Sequence, residues 1–171
     1  MFRPLEGVKV LDLSRVLAGP YTAKLLSDLG ANVLRVEAPW GDDTRGWGPP
    51  FTEIDNEQVA AYWTSVNLGK SVIRKDLKNE NDLQEVRKLI SESDIIIENF
   101  RPGKSEEWFA PWPDEAIVCN ISAYGNYGPR SREGGYDIVM QARSGLMSIT
   151  GDENGTIAKV GVAVIDVATG L

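Results

Sequence analysis

The chain has 171 residues, 42% hydrophobic and 25% charged, with a formal net charge of -7, which suits one globular domain of ordinary size and excludes a disordered segment. Such an acidic chain repels a phosphate backbone, so nucleic-acid binding is excluded as a main role, although a small phosphorylated ligand needs only a few local cations or a helix end. Histidine is absent and Cys119 is the only cysteine, which excludes disulfides, Cys or His metal clusters, Ser-His-Asp triads and histidine bases.

Val8 to Leu13 reads as a buried strand after Gly7. Gly19-Pro20 opens a helix with proline in its first turn, where no N–H is needed. Tyr21, Leu25, Leu26 and Leu29 recur along it at helical spacing, and Gly30 stops it. Asn32 to Glu37 is a second strand, so the first 37 residues predict a βαβ unit with parallel strands. Pro39 to Phe51, rich in Gly, Pro and Trp, predicts an ordered loop. Val59 to Val66 predicts a helix, Ser71 to Ile73 a short strand, and Asn81 to Ser91 an amphipathic helix burying Leu83, Val86, Leu89 and Ile90. Asp94 to Glu98, apolar between acidic ends, is the pattern of a central parallel strand. A helix from Pro102 to Trp108, a strand from Ala116 to Ile121, a Gly/Pro/Arg loop from Gly125 to Gly135, and a helix from Tyr136 to Ile149 follow. Gly151 to Gly155 is a turn, and a further helix starts at Val162. The alternation predicts an α/β Rossmann-like layered fold with a mostly parallel sheet.

No apolar stretch approaches the ~20 residues of a membrane-spanning helix, and Met1 to Glu6 lacks a signal-peptide core. A cytoplasmic setting is therefore expected, or a mitochondrial one if a leader is missing. The ending at Thr169-Gly170-Leu171, with no terminator or polar tail, reads as a fragment.

Four stretches could carry chemistry. The first βα junction, Leu13 to Pro20, offers a helix start to an anion but lacks the G-x-G-x-x-G of a dinucleotide site, against an NAD-dependent oxidoreductase. Arg45, Trp47 and Gly48 to Phe51 make an aromatic, cationic loop that either clamps a carboxylate or packs, with Arg45 paired to Asp42 or Asp43. Lys70, Lys75 and Lys78 flank the third strand, as phosphate contacts or as a solvated face. Asp166 is a lone carboxylate among small and β-branched residues, either a helix cap or a functional group, with Gly161 and Gly170 permitting close approach.

Several motifs in order along the chain resemble class III CoA-transferases, the formyl-CoA and carnitine CoA-transferase type. They are Pro4-Leu5-Glu6-Gly7, Val10 to Pro20, Asp28 to Val33, Gly41-Asp42-Asp43-Thr44-Arg45, Glu98 to Gly103, Gly135-Tyr136-Asp137 with Gln141-Ala142, Ser144 to Met147, and Gly161 to Gly170. Trp47 to Phe51 and the Asp166-Val167-Ala168-Thr169-Gly170 ending look most like the succinate–hydroxymethylglutarate branch. The resemblance implies that residues 1–171 are the N-terminal half of a large CoA-binding domain. The rest of that domain, a smaller domain and a returning C-terminal segment would be absent, and the full-length family forms interlocked homodimers.

By the same resemblance Asp166 is the nucleophile. It attacks an acyl-CoA thioester, succinyl-CoA being one donor, to give an aspartyl anhydride and then an aspartyl-CoA thioester. The implied CoA contacts are Val16, Leu17, Ala18, Lys75, Asp76, Leu77, Lys78, Asn99, Phe100, Arg101, Ser122, Ala123, Tyr124 and Gly125. Acyl-CoA and a carboxylic acid are the partners, with no permanently bound cofactor, no metal, no nucleic acid and no membrane. The family's basic residue after Pro102-Gly103 is matched by Glu107, and Ala38 stands where a basic residue or proline is common. The alternatives are a truncated CoA-binding remnant without turnover and a relative of the α-methylacyl-CoA racemases. The second conflicts with Gly135-Tyr136-Asp137, where that branch has a histidine.

Overall fold

The computed structural model describes residues 3–171; Met1 and Phe2, part of the stretch read above for a leader, lie outside the described residues. In chain order the elements are β1 (Lys9–Asp12), α1 (Ala18–Asp28), β2 (Asn32–Glu37), a 3-10 turn (Asp43–Gly46), β3 (Phe51–Ile54), β4 (Glu57–Ala60), α2 (Ala61–Asn67), β5 (Ser71–Arg74), α3 (Glu80–Ser91), β6 (Ile95–Glu98), α4 (Lys104–Phe109), β7 (Ile117–Asn120), α5 (Asp137–Arg143), a second 3-10 turn (Leu146–Ile149) and α6 (Val164–Gly170).

Five of the strands form one sheet in the order β5-β2-β1-β6-β7, and every pairing in it is parallel. The chain builds outward from β1 to β2 and β5, then returns to the other side of β1 with β6 and β7. The order therefore reverses between β1 and β6, and that is where an open parallel sheet leaves a crevice beyond its strand ends.

Successive strand residues face opposite layers, and both layers are covered. Val10, Val33 and Ile97 meet Ala23 of α1 and Ala31 on one face. Leu11, Leu13, Val36 and Ile96 meet Leu83, Val86 and Ile90 of α3 and Phe109 of α4 on the other. Each fully buried side chain of the size of Ile96 contributes roughly 1.5–3 kcal/mol, so these layers hold the sheet rigid beneath the site. α3 follows its sequence signals closely: the Asn79 side chain accepts from the amides of Asn81 and Asp82, and Glu80 and Asp82 occupy the positive first turn.

Two elements differ from the expectation. The sequence ends a loop at Phe51, starts a helix at Val59 and assigns no element to 52–58; residues 51–60 instead form an antiparallel hairpin with Phe51 opposite Ala60 and Ile54 opposite Glu57. Its two-residue turn places Asp55 at φ 51° and Asn56 at φ 64°, the left-handed pair of a primed turn, here without the usual glycine. The predicted helix over 136–149 stops at Arg143, because Gly145 turns left-handed (φ 83°) and starts the second 3-10 turn.

Candidate active site

The crevice at the reversal is closed by a side chain that spans it. Asn99, just after β6, accepts from the Arg15 amide at 2.8 Å and returns its own Nδ2 to the Arg15 carbonyl at 2.9 Å. The loop after β1 is thereby fixed to the loop after β6. Beside it lies a cavity of about 250 Å³, lined by Leu13 to Arg15, by Arg35 to Asp42, by Lys75 to Lys78, and by Phe100 and Trp108. Its walls come from the C-terminal ends of β1, β2, β5 and β6.

Under the cavity floor sits a buried ionic cluster. The Arg35 guanidinium, 0% exposed, donates to Asp12 at 2.9 Å, Glu37 at 3.1 Å and Asp42 at 2.7 Å. Lys70 Nζ donates to Asp12 at 2.9 Å, to the Pro20 carbonyl and to Asn67. Burial by itself raises the Asp12 carboxyl, but Arg35, Lys70 and the Ser14 hydroxyl outweigh it and hold Asp12 below its ordinary value. Burial has the upper hand at Lys70, whose ammonium is pushed down to about 8 against the pull of Asp12. Arg45 joins the cluster edge through Glu37 at 2.8 Å and lies 3.9 Å over the Trp63 ring, whose Nε1 also donates to Glu37.

The loop above this cluster is strained. Val16 adopts φ 68°, a conformation that costs a β-branched residue on the order of 1–3 kcal/mol. Its amide donates to Asp42 Oδ2 at 3.1 Å. Gly19, at the start of α1, packs so closely that a Cβ there would lie 2.3 Å from Ser14 Cβ, which is why only glycine serves this junction.

Asp166 lies half-buried in the first turn of α6. Burial, and secondly the negative Asp137, raise its carboxyl to about 6. Asp137 Oδ1 accepts from the amides of Ile165 at 2.8 Å and Asp166 at 3.2 Å. The buried Gln141, one turn later on α5, donates to Asp137 and to the Val162 carbonyl and accepts from the Val160 amide. The stretch leading into α6 is thus held by two side chains at i, i+4 on one face of α5. On its other side α6 rests on α1: the Thr22 hydroxyl donates to the Gly170 carbonyl at 2.9 Å, and a Cβ on Gly170 would come within 2.7 Å of the Ala18 carbonyl. Burial and then the fields of Asp166, Asp137 and Asp42 push the Tyr62 hydroxyl up, so α2 also faces this centre.

The residues singled out from the sequence fall into distinct places. Lys75, Asp76, Leu77, Lys78 and Phe100 line the cavity. Val16 is partly exposed above it, whereas Leu17 and Ala18 are buried. Asn99 spends both ends of its amide on Arg15, and Arg101 points to solvent. Ser122 to Gly125 follow β7, away from the cavity lining, as does Asp166. The cavity touches Leu13 to Arg15 and the end of α6 packs at Ala18, so the turn at residues 16–18 lies between the cavity and α6.

Some expectations are corrected. Arg45 is committed to Glu37 and Glu57 and does not pair with Asp42 or Asp43, which instead meet Arg35 and Arg15. Lys70 is sealed in the core and is not a phosphate contact. Gly170 serves the α1–α6 contact rather than ligand approach. The sequence assigns no site role to Asp137, Gln141, Asp42 or Tyr62. The Asp137/Gln141 spacing was visible as one helix face; the roles of Asp42 and Tyr62 carried no signal along the chain.

A parallel sheet whose strand order reverses at a crevice pinned by Asn99, and a half-buried carboxylate on a helix packed against the first helix, define an α/β domain of the doubly wound type. Residues 5–171 match the sequence profile of CoA-transferase family III, and the chain belongs to that family. It is 46% identical to the human succinyl-CoA:glutarate CoA-transferase, over 99% of this chain and 39% of that protein. It is 44% identical to the succinate–glutarate CoA-transferase of Agrobacterium fabrum, over 98% of this chain and 44% of that one. The crystal structure of a CAIB/BAIF family protein from Brucella suis superposes with a TM-score of 0.94 at 40% identity, covering 99% of this chain and 47% of the other. The chain thus spans less than half the length of these relatives.

Proposed function

We propose that this chain carries the nucleophile and part of the CoA site of a CoA-transferase that moves coenzyme A from an acyl-CoA to a carboxylic acid. The observation that carries the reading is Asp166: a carboxylate half-withdrawn from water, with its backbone clamped by Asp137, in a chain of this family. Partial desolvation makes a carboxylate a stronger nucleophile, and a pKa near 6 leaves it ionised at neutral pH.

In the proposed sequence an Asp166 carboxylate oxygen attacks the thioester carbonyl. The C–S bond breaks, CoA leaves as thiolate, and an aspartyl–acyl anhydride remains. The thiolate attacks the aspartyl carbonyl and expels the donor acid, forming an aspartyl-CoA thioester. The acceptor carboxylate attacks that carbonyl and releases the thiolate, which then takes the acceptor acyl group and frees Asp166. Each step exchanges one acyl bond for another, so no redox partner is needed.

The cavity at Lys75 to Lys78 suits the nucleotide end of CoA, with Phe100 and Trp108 offering apolar surface and Lys78 a charge that has no ion-pair partner among the described residues. The pantetheine arm would run over Val16 to Asp166. Asn99, Arg101 and Ser122 to Gly125 would flank that path. The names of the relatives support succinyl-CoA as donor and a dicarboxylic acid such as glutarate as acceptor. A homodimer working in the cytoplasm, or in mitochondria behind a leader, completes the proposal.

Mass spectrometry of acyl exchange tests it. The chain and Asp166→Ala are each mixed with succinyl-CoA and a panel of carboxylic acids. New acyl-CoA with the parent chain, absent with Asp166→Ala, is the expected result. No exchange from either, with a melting temperature that still rises on adding CoA, would replace the transferase by a CoA-binding chain without turnover.

A further inference from the structure

Asp42 is a buried carboxylate with both oxygens engaged. Oδ1 accepts from the Thr44 amide at 2.9 Å and the Thr44 hydroxyl at 2.6 Å. Oδ2 accepts from Arg35 Nη2 at 2.7 Å and from the Val16 amide at 3.1 Å. The last contact joins the ionic cluster, through a single atom, to the one residue of the β1–α1 turn held at φ 68°. A β-branched residue leaves that region unless its surroundings hold it there. Two residues later α1 begins, and α6 rests on the first turns of α1 through Ala18, Tyr21 and Thr22.

We infer that Asp42 is a positioning residue for Asp166: it locks Val16 in its left-handed conformation and so fixes the start of α1, on which the Asp166 helix is seated. Asp42 does not line up with the reacting atoms itself; it acts through the backbone of Val16. The catalytic consequence rests on the transferase reading, whereas the mechanical link does not. Thr44, Arg35 and the Val16 amide are the groups bonded to Asp42, and Asn, with a single acceptor oxygen, cannot serve all of them at once.

Amide hydrogen exchange tests the link without requiring turnover. In Asp42→Asn, exchange is expected to quicken about tenfold over residues 13–18 and also over 163–170, while β5 keeps the parent's protection. Unchanged protection over 13–18 would overturn the lock. Loosening of 13–18 with α6 unchanged would overturn the connection to Asp166. Equal loosening of β5 would reduce Asp42 to a general stabiliser of the fold and overturn the proposal as well.

Acyl exchange tests the consequence. Asp42→Asn is expected to lower kcat about tenfold. Adding Val16→Gly should recover most of that loss, because glycine takes the left-handed region without a tether. The same loss in both backgrounds would overturn positioning through Val16. If the parent chain shows no exchange, the transferase reading falls, and the hydrogen-exchange result alone decides the mechanical link.

Discussion

Asp137 accepts the backbone amide of Asp166, twenty-nine residues further on, at 3.2 Å. One carboxylate therefore holds another in place and repels its charge at once. This is the arrangement by which α5, an element with its outer face exposed, positions the residue proposed to be the nucleophile and adds to the rise in its carboxyl that burial begins.

The pH dependence of acyl exchange follows from that pairing. In the proposed mechanism only ionised Asp166 attacks, so kcat should rise through an acid limb near pH 6. Asp137 is the second cause of the raised value, after burial. Asp137→Asn should therefore move the limb to lower pH, although the lost clamp lowers the plateau. Stopped-time assays between pH 4.5 and 8 check this; a limb that stays put in Asp137→Asn would contradict the coupling.

The same shift has a consequence for stability. Asp166 titrates near 6 when folded, against 3.8 ordinarily, so the folded chain binds this proton more tightly than the unfolded one. The charged form is then a cost to folding that is complete above pH 6 and vanishes as pH falls below about 4. Asp166→Asn should be more stable than the parent at pH 7 and lose that advantage in acid. Urea titrations at pH 7.5 and 3.5 measure it.

Gln141 fixes the approach to α6 by bonding Val160 and Val162. Gln141→Ala takes the side-chain partner from both backbone groups; Val160 is half-buried and Val162 exposed, so water replaces part of each bond and the loss is about 1 kcal/mol. Denaturant unfolding should show that loss, and limited proteolysis should cut first within 157–163.

The ionic cluster predicts an asymmetry. Asp12→Ala leaves the buried Lys70 with no carboxylate among the described residues, while Arg35 keeps Glu37 and Asp42, and breaking a buried pair in that way costs about 3–5 kcal/mol. Lys70→Met also removes a buried charge whose own desolvation is heavy, and Asp12 keeps Arg35, so it should cost clearly less. Comparing the two melting curves decides the point.

Within the cavity the two lysines should behave differently. Lys75 is occupied by Asp82 and Glu85, whereas Lys78 is not. Lys78→Glu should weaken CoA binding several-fold in a salt-dependent way, and Lys75→Ala should change it little. Calorimetric titration at two salt concentrations distinguishes them.

The layered order of this protein was legible in the sequence because it rests on local periodicity. Val8 to Leu13, Asn32 to Glu37 and Asp94 to Glu98 alternate with amphipathic helices, and that alone implies a parallel sheet with both faces covered. The hairpin at 51–60 was not legible, since Asp55-Asn56 makes a primed turn without the glycine that marks one. Asp166 could be singled out as a carboxylate in apolar company, and its motif tied it to a family.

What only the tertiary structure decided is who surrounds it. Asp137, Asp42 and Tyr62 come to the same centre from α5, the loop after β2, and α2. Arg45 and Lys70, cations on paper available to a ligand, turn out to be consumed by Glu37, Glu57 and Asp12. A charge's role depends on its partners and on the water left around it, and both are set by contacts between residues far apart in the chain. Periodicity reports how a segment folds, but pairing and desolvation exist only once the segments have met.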